Sequence, residues 1–312
     1  MKQLQRFFEG IRKPGLLFFC AFVMMTFPLT AQDGTVKGTL DWERMELDAA
    51  IRVDLQRAGI KLPAGRAQAE ALLEDQYTAL LRPAIMALQA DSSSTVEDLV
   101  NWGEVPAETL TNSIRRVPPA MDADLSAISG NYAVNLSGLS AALTRHSRPR
   151  TIAAPLIPVP AKPYTGIIII ADEDLPVHGR SARVQTVPCL FPKVWDSEMN
   201  LIFERNMLDL DAELDTGGRR IKVRDWGMIR YINRDSITRS VPSALAADLT
   251  SRVGENPLAI MARGVFGAVP TDPVIDREDA LLILSSENNR RLLREGRVAI
   301  VLDKTVLKKT FP

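Results

Sequence analysis

The chain has 312 residues, with 38 basic and 38 acidic side chains and a formal net charge of zero. It therefore carries no field that would gather nucleic acid or coat an anionic bilayer. Aromatic content is low and aliphatic content ordinary, which suits an Ala/Leu/Ile/Val core and a length comfortable for two domains.

Residues 1–31 read as a secretory signal peptide. Lys2, Arg6, Arg12 and Lys13 make a basic start, Gly15 to Thr26 is an uncharged apolar run, and Ala31 stands before the polar Gln32-Asp33-Gly34. The run is short beside the roughly 20 residues of a membrane span, so cleavage is expected rather than retention as an anchor. The mature chain is then periplasmic, nearly neutral, and has no second apolar stretch long enough to span a membrane. Cys20 is a poor lipid anchor, because Phe18 and Phe19 precede it and the apolar run continues past it. Cys189 is the one cysteine left, which excludes an internal disulfide.

From Met45 to Leu55 apolar residues alternate with polar or small ones, the pattern of a strand with one buried face. Thr39 to Trp42 leads into it, and Gly59 to Gly65 is a turn. Arg66 to Gln89 changes to helical spacing, with Ala69, Leu72, Leu73, Leu80, Ile85 and Leu88 on one side. Pro83 should kink or split that helix. Ser94 and Glu97 fit a capping box that opens a short helix running to Trp102. A further helix is expected near Ala107 to Arg115, ended by Val117-Pro118-Pro119. Leu125 to Leu143 then reads as a strand or a hairpin turned at Gly130-Asn131. Residues 32–147 thus make a β-α-α-β domain.

Residues 148–163 hold Pro149, Pro155, Pro158, Pro160 and Pro163. Such a stretch lacks amide donors and favours extended backbone, so it is a linker or an extended segment crossing one larger domain. Residues 164–312 form the C-terminal α+β domain. Ile167 to Ile170, apolar on both faces, should be its central strand. Leu190 to Val194 and Leu201 to Glu204 flank a hairpin at Asp196 to Asn200. Met228 to Ile232 and Pro257 to Phe266 read as strands, and Ser243 to Val253 as a helix. Asp276 caps a helix from Arg277 to Leu284, which Glu287 to Arg294 continues or follows. Arg297 to Asp303 is a last buried strand. The fold class is α+β: two small α/β-sandwich-like domains joined by a Pro-rich connector, after a cleaved signal peptide.

The residues that could carry chemistry do not assemble into a site. Cys189 and His178 could pair as nucleophile and base, but Val187-Pro188-Cys189-Leu190-Phe191-Pro192 is apolar and raises a thiol pKa. His146 and His178, with one cysteine, have no zinc-ligand spacing. Asp172-Glu173-Asp174 lacks the spacing of a calcium loop, and Asp209 to Glu213 reads as surface. Gly217-Gly218 reads as a turn, not a phosphate loop. Arg219, Arg220, Lys222, Arg224, Arg230, Arg234 and Arg239 form a cationic stretch diluted by Asp225 and Asp235. Export argues against nucleic acid there, leaving a solvated edge or a contact face for an acidic partner protein or cell-wall polymer. No catalytic, cofactor-binding or metal-ligating residue is assigned.

Tyr164-Thr165-Gly166 with its apolar strand, followed by Pro192-Lys193-Val194-Trp195-Asp196, resembles a pattern of the FlgP-like flagellar basal-disk lipoprotein family. Asn256-Pro257-Leu258 is similar to that family's Asn-Pro-Leu strand. Asp272 to Ala280 and Arg297 to Asp303 are similar to its closing helix and strand. The resemblance covers residues 164–303 and lacks the lipid-bearing cysteine. It implies a non-enzymatic protein that builds rings or disks around the flagellar motor. The expected function is that of an exported structural or scaffold protein of the cell envelope. Its partners would be envelope or motor proteins or further copies of itself, and peptidoglycan contact is compatible with it. The alternatives are a secreted cell-wall glycan hydrolase and a periplasmic binding protein.

Overall fold

The alternating stretch folds as a strand for the reason its pattern gives. In this computed structural model, which describes residues 34–61, 65–103, 114–144, 149–215, 220–235 and 244–311, β1 (Gly34–Asp41) pairs antiparallel with β2 (Glu46–Asp54). Leu47, Ala49, Ile51 and Val53 are buried, while Asp48, Ala50 and Arg52 face solvent. The helix α1 (Arg66–Met86) buries Ala69, Leu73, Tyr77, Leu80, Leu81 and Ile85. Pro83 does not split α1: it lies in the last turn, where the backbone bond it removes is close to the end anyway. Tyr77 stacks on Tyr132 with ring centroids 4.9 Å apart.

The capping box is present but one residue later than the sequence pattern suggests. Thr95 and Asp98 cap α2 (Val96–Asn101), each side chain accepting from the other's amide. The Asp91 carboxylate already holds the Ser93 and Ser94 amides in a turn, so the helix starts after it.

Two expectations for the next stretch are corrected. Most of the helix expected near Ala107 to Arg115 lies outside the described residues, but Arg115 belongs to a strand, β3 (Ile114–Met121). Pro118 and Pro119 fall at a register shift between Val117 and Ala120, on the edge of the sheet, where missing amide donors are tolerated. There is also no hairpin at Gly130-Asn131: β4 (Ala127–Asn135) runs straight through them. Gly130 is needed for close approach, since a Cβ there would fall 2.9 Å from Leu73 Cδ2. Asn135 then caps α3 (Leu136–Leu143) by accepting from the Ser137 and Gly138 amides.

The four Ile form β5 (Ile167–Ile170), an interior strand of a parallel sheet with β12 (Arg230–Ile232), β13 (Leu258–Met261) and β16 (Val298–Val301), in the order β12-β16-β5-β13. Ile167 and Ile169 face the main core, while Ile168 packs with Ile232, Leu249, Val253, Ala299 and Val301 on the other side. Gly166, just before β5, is required by α5 (Ala244–Val253): a Cβ there would lie 2.5 Å from the Val253 carbonyl oxygen.

A second small sheet has the order β14-β15-β8-β9, from β8 (Val194–Asp196), β9 (Leu201–Phe203), β14 (Gly264–Phe266) and β15 (Asp272–Ile275). The expected hairpin closes it, with Asp196 Oδ1 accepting from the amides of Glu198 and Asn200. The single strand expected from Pro257 to Phe266 is two, β13 and β14, in different sheets. Two short ribbons, β6 (Leu175–Pro176) with β7 (Arg183–Val184) and β10 (Glu213–Asp215) with β11 (Arg220–Lys222), lie outside both sheets. The remaining helices are α4 (Val223–Trp226), α6 (Arg277–Leu284), α7 (Glu287–Arg294) and α8 (Lys304–Leu307).

Arg297 to Asp303 does not end the fold. After β16 the chain passes through α8 into β17 (Lys308–Phe311), which pairs with β1 and completes the first sheet as β17-β1-β2-β4-β3. The C-terminal segment thus belongs by hydrogen bonding to the first region. Both regions contribute to one continuous hydrophobic core. The proline segment crosses the surface of the second region without regular structure. Arg150 donates to the Asn206 carbonyl (2.8 Å), Val159 to Ser285 Oγ (2.9 Å), and Asn289 bonds both Lys162 and Tyr164.

Candidate functional site

The chemically notable residues of the sequence are separated or neutralised. Cys189 has no exposed surface, and burial, with the nearby Asp272 charge, pushes its thiol far above the usual range. The Cys189 amide donates to the Tyr231 hydroxyl (3.0 Å), which in turn donates to the Cys189 carbonyl (2.9 Å). His178 is instead exposed, its ring edge-on to Phe266. His146, Gly217, Gly218, Arg219 and Arg239 lie outside the described residues. Among those described, no cluster of His, Cys, Asp and Glu is grouped to hold a metal ion.

The cationic stretch does not present a free row of charge. Arg220 pairs with Glu213, Arg224 with Asp211, Arg230 with Asp248, and Arg234 with Asp172. The last pair is bidentate, at 2.5 and 2.7 Å, and takes up Asp172 of the acidic cluster after β5, while Glu173 and Asp174 are exposed.

Open parallel sheets commonly bind small ligands beyond the carboxyl ends of their strands. Here the turn between β1 and β2 reaches that edge. Asn233, just after β12, donates from Nδ2 to both Glu43 oxygens (2.9 and 3.0 Å). The Trp42 amide donates to the Leu307 carbonyl (2.9 Å), and its ring meets Tyr231 edge-on at 5.9 Å. Asp303, after β16, accepts from the Thr305 amide at the start of α8.

Two buried charges that the sequence did not single out as sites serve the fold: Asp272 the second small sheet and its seam with the first region, and Arg252 the segments that lead into the parallel sheet. Asp272 is fully buried; its Oδ1 accepts from the Lys193 amide (3.1 Å) and Thr271 Oγ1 (2.8 Å), and Trp195 Nε1 approaches Oδ2. Burial raises its pKa, with those bonds and one from Ser92 acting against the rise. Ser92 lies on a first-region loop that bonds repeatedly across the seam: Leu190 donates to the Gln89 carbonyl, Phe191 to Ala90 and Val269 to Ser92. Arg252 donates to the carbonyls of Trp226, Gly227 and Gly296 and lies 4.3 Å over the Trp226 ring. Its burial lowers its pKa to about 9. An isolated Asp or Arg in a sequence gives no sign of such burial.

Three surface features among the described residues bear on contact with other molecules. A mixed-charge groove of about 1120 Å³ runs between α3 and residues 206–211, with Arg150, Asp209, Arg224 and Arg294 on its walls. An apolar pocket of about 460 Å³ opens where α1, β1, β17 and the Val187-Pro188 segment meet. Finally, the proline segment raises Leu156 and Ile157 clear of the surface: Leu156 is fully exposed and Ile157 82 % exposed. Their backbone is tied at Arg150 before them and at Val159 after them. This knuckle and the apolar pocket are the surfaces best built for contact with another molecule.

Residues 33–142 match a family model described as Treponema pallidum Tp0624, N-terminal domain, and residues 166–304 match one described as Treponema pallidum Tp0624, second domain. The two matches follow in that order and leave the proline segment between them. Neither match is to the FlgP-like family that the second region's motifs resemble. No curated protein matches the chain. With both domains matched and helices mixed among antiparallel and parallel sheets, the chain is an α+β protein. No helix among the described residues is long and apolar enough to cross a membrane.

Proposed function

We propose that this protein is an exported, non-enzymatic structural component of the bacterial cell envelope that works through protein–protein contacts, with the periplasmic part of the flagellar motor as its setting. The observation that carries the reading is the Leu156–Ile157 knuckle. Two adjacent large aliphatic side chains in water, on a segment tied at both ends, are what a docking element needs. The basic, apolar and small-residue order of positions 1–31 supports export. The order of motifs from Tyr164 to Asp303 supports the motor setting.

Replacing Leu156 and Ile157 by Ser in the cell, at unchanged protein level, tests the contact. The double variant should reproduce the envelope or motor phenotype of the gene deletion, and wild-type behaviour of the double variant would overturn the knuckle as the contact. Imaging motors and swimming in the deletion strain tests the setting, since normal motors and normal swimming exclude it.

A further inference from the structure

We infer that the apolar pocket binds a single-chain anionic amphiphile, a fatty acid, whose acyl chain fills the pocket and whose carboxylate meets Lys309 at the rim. The strand pattern builds both halves of such a site. Alternation along β17 turns Lys309 and Phe311 to the same face, and the register sets Lys309 opposite Leu40 of β1. Val36 of β1 and Leu80 and Ala84 of α1 continue the apolar wall. A space of about 460 Å³ lies within the range of small-molecule sites, which are mostly apolar with a few polar groups that fix orientation. An apolar cavity of about 150 Å³ takes a benzene ring, so this one has room for a chain of roughly 12 to 18 carbons.

Charge selects this occupant. Among the described residues Lys309 is the one charged side chain on the wall, and no carboxylate lines the pocket. Lys309 is exposed and has no ion-pair partner among those residues, whereas its neighbour Lys308 is taken by Asp41 (3.7 Å). A cationic head would be repelled there, and a neutral one would gain nothing from the charge. The apolar wall in turn suits an alkyl chain better than a peptide. An extended peptide needs main-chain hydrogen-bond partners along its length. Gln89 already donates from Nε2 to the Asp91 and Ser94 carbonyls, and Pro83 and Pro188 have no amide to give. An alkyl chain needs no such partners. This site is separate from the Leu156–Ile157 knuckle and stands whichever partner the knuckle meets.

Calorimetric titration of the purified protein with octanoate, decanoate and dodecanoate, each kept below its micelle concentration, reads this out. Binding should saturate, and affinity should rise about fourfold for each added methylene, the step expected when a methylene leaves water. Dodecylammonium should bind about tenfold more weakly than dodecanoate. Lys309→Glu should remove that preference and Lys309→Arg should keep it. Ala84→Phe, which fills the pocket from α1, should weaken dodecanoate by about tenfold or more through the methylenes it displaces. Unchanged melting temperatures without ligand check that the variants fold, and Ala87→Trp at the exposed mouth replaces Ala84→Phe if the Phe disturbs α1. Absence of saturable binding, an affinity that ignores chain length, or equal binding of dodecylammonium overturns the inference. So does a Lys309→Glu variant that keeps the preference, or a filled pocket that binds as well as the open one. Binding to phosphatidylglycerol vesicles without binding of dodecanoate would overturn it too, and would make the pocket a membrane contact instead.

Discussion

The antiparallel sheet of the first region has one face under α1 and one in water, whereas the parallel sheet of the second region is covered on both faces. The difference is written in the strands themselves. In β2, Ile51 and Val53 are buried while Arg52 between them is exposed. In β5, Ile167 and Ile169 face one core and Ile168 another. A half-wet sheet offers a broad surface, while a sealed parallel sheet offers only its edges and strand ends. In this chain one of those ends is met by the turn that carries Trp42 and Glu43, and the exposed apolar contact elements lie at the junction and on the connector.

The largest expected effect tests whether the two regions are one cooperative body. Trp42 is buried against Tyr231 across the junction, so Trp42→Ala should cost about 3 to 5 kcal/mol in urea unfolding. If the regions stand independently, the variant's loss will instead be confined to one of two separate transitions. Next in size, the face comparison can be read position by position. Ile51→Ala, Ile168→Ala and Ile169→Ala should each cost about 2 to 5 kcal/mol. Arg52→Ala, which loses an exposed pair with Asp122, should cost less than about 1 kcal/mol. A small loss for Ile168→Ala would mean that the second face of the parallel sheet is not truly packed.

The same contrast sets what could be read from the sequence. Period-two alternation and an all-Ile run each declare a strand and its burial, so β2, β5, α1 and the hairpin at Asp196 to Asn200 were legible. Position along a strand was not. Gly130 looked like a turn because glycine usually marks one, yet it serves the approach of Leu73 to β4. Pro118 and Pro119 looked like a stop because they cannot donate, yet an edge strand at a bulge does not need those donors. The return of β17 to β1 is a long-range pairing that no local pattern encodes. For the candidate site, the proline segment announced an extended backbone, but the exposure of Leu156 and Ile157 and the pocket at the junction depend on which surfaces the packing leaves open. Asp272 and Arg252 were silent for the same reason.

Asp272 gives a smaller, pH-dependent test of the seam. Its pKa in the folded protein is raised, mainly by burial, above the ordinary Asp value of about 3.9. A carboxyl whose folded pKa is raised favours the fold most fully below its unfolded pKa, and that contribution is lost as pH rises through the raised folded value. The stability difference between wild type and Asp272→Asn should therefore move in favour of wild type as pH is lowered from 7 towards 4, measured by urea unfolding at each pH. A difference that stays flat across that range would show that Asp272 is better solvated than its surroundings indicate.

The smallest effect separates a helix start that is capped from one that only looks capped. Thr95 and Asp98 exchange bonds at the start of α2 in the first region. In the second region Asp276 stands at the cap position of α6 but bonds no helix amide; its carboxylate accepts instead from Arg263 Nε at 2.7 Å. Losing a capping side chain costs about 1 kcal/mol, whereas an exposed ion pair is worth a few tenths to about 1 kcal/mol. Thr95→Ala should therefore destabilise by about 1 kcal/mol and speed amide exchange at Asp98, with Thr95→Ser restoring both. Asp276→Ala should cost about half as much and leave exchange in the first turn of α6 unchanged. If Asp276→Ala instead frees those amides, its side chain caps α6 in solution after all, and the sequence pattern rather than the observed bond to Arg263 describes that helix.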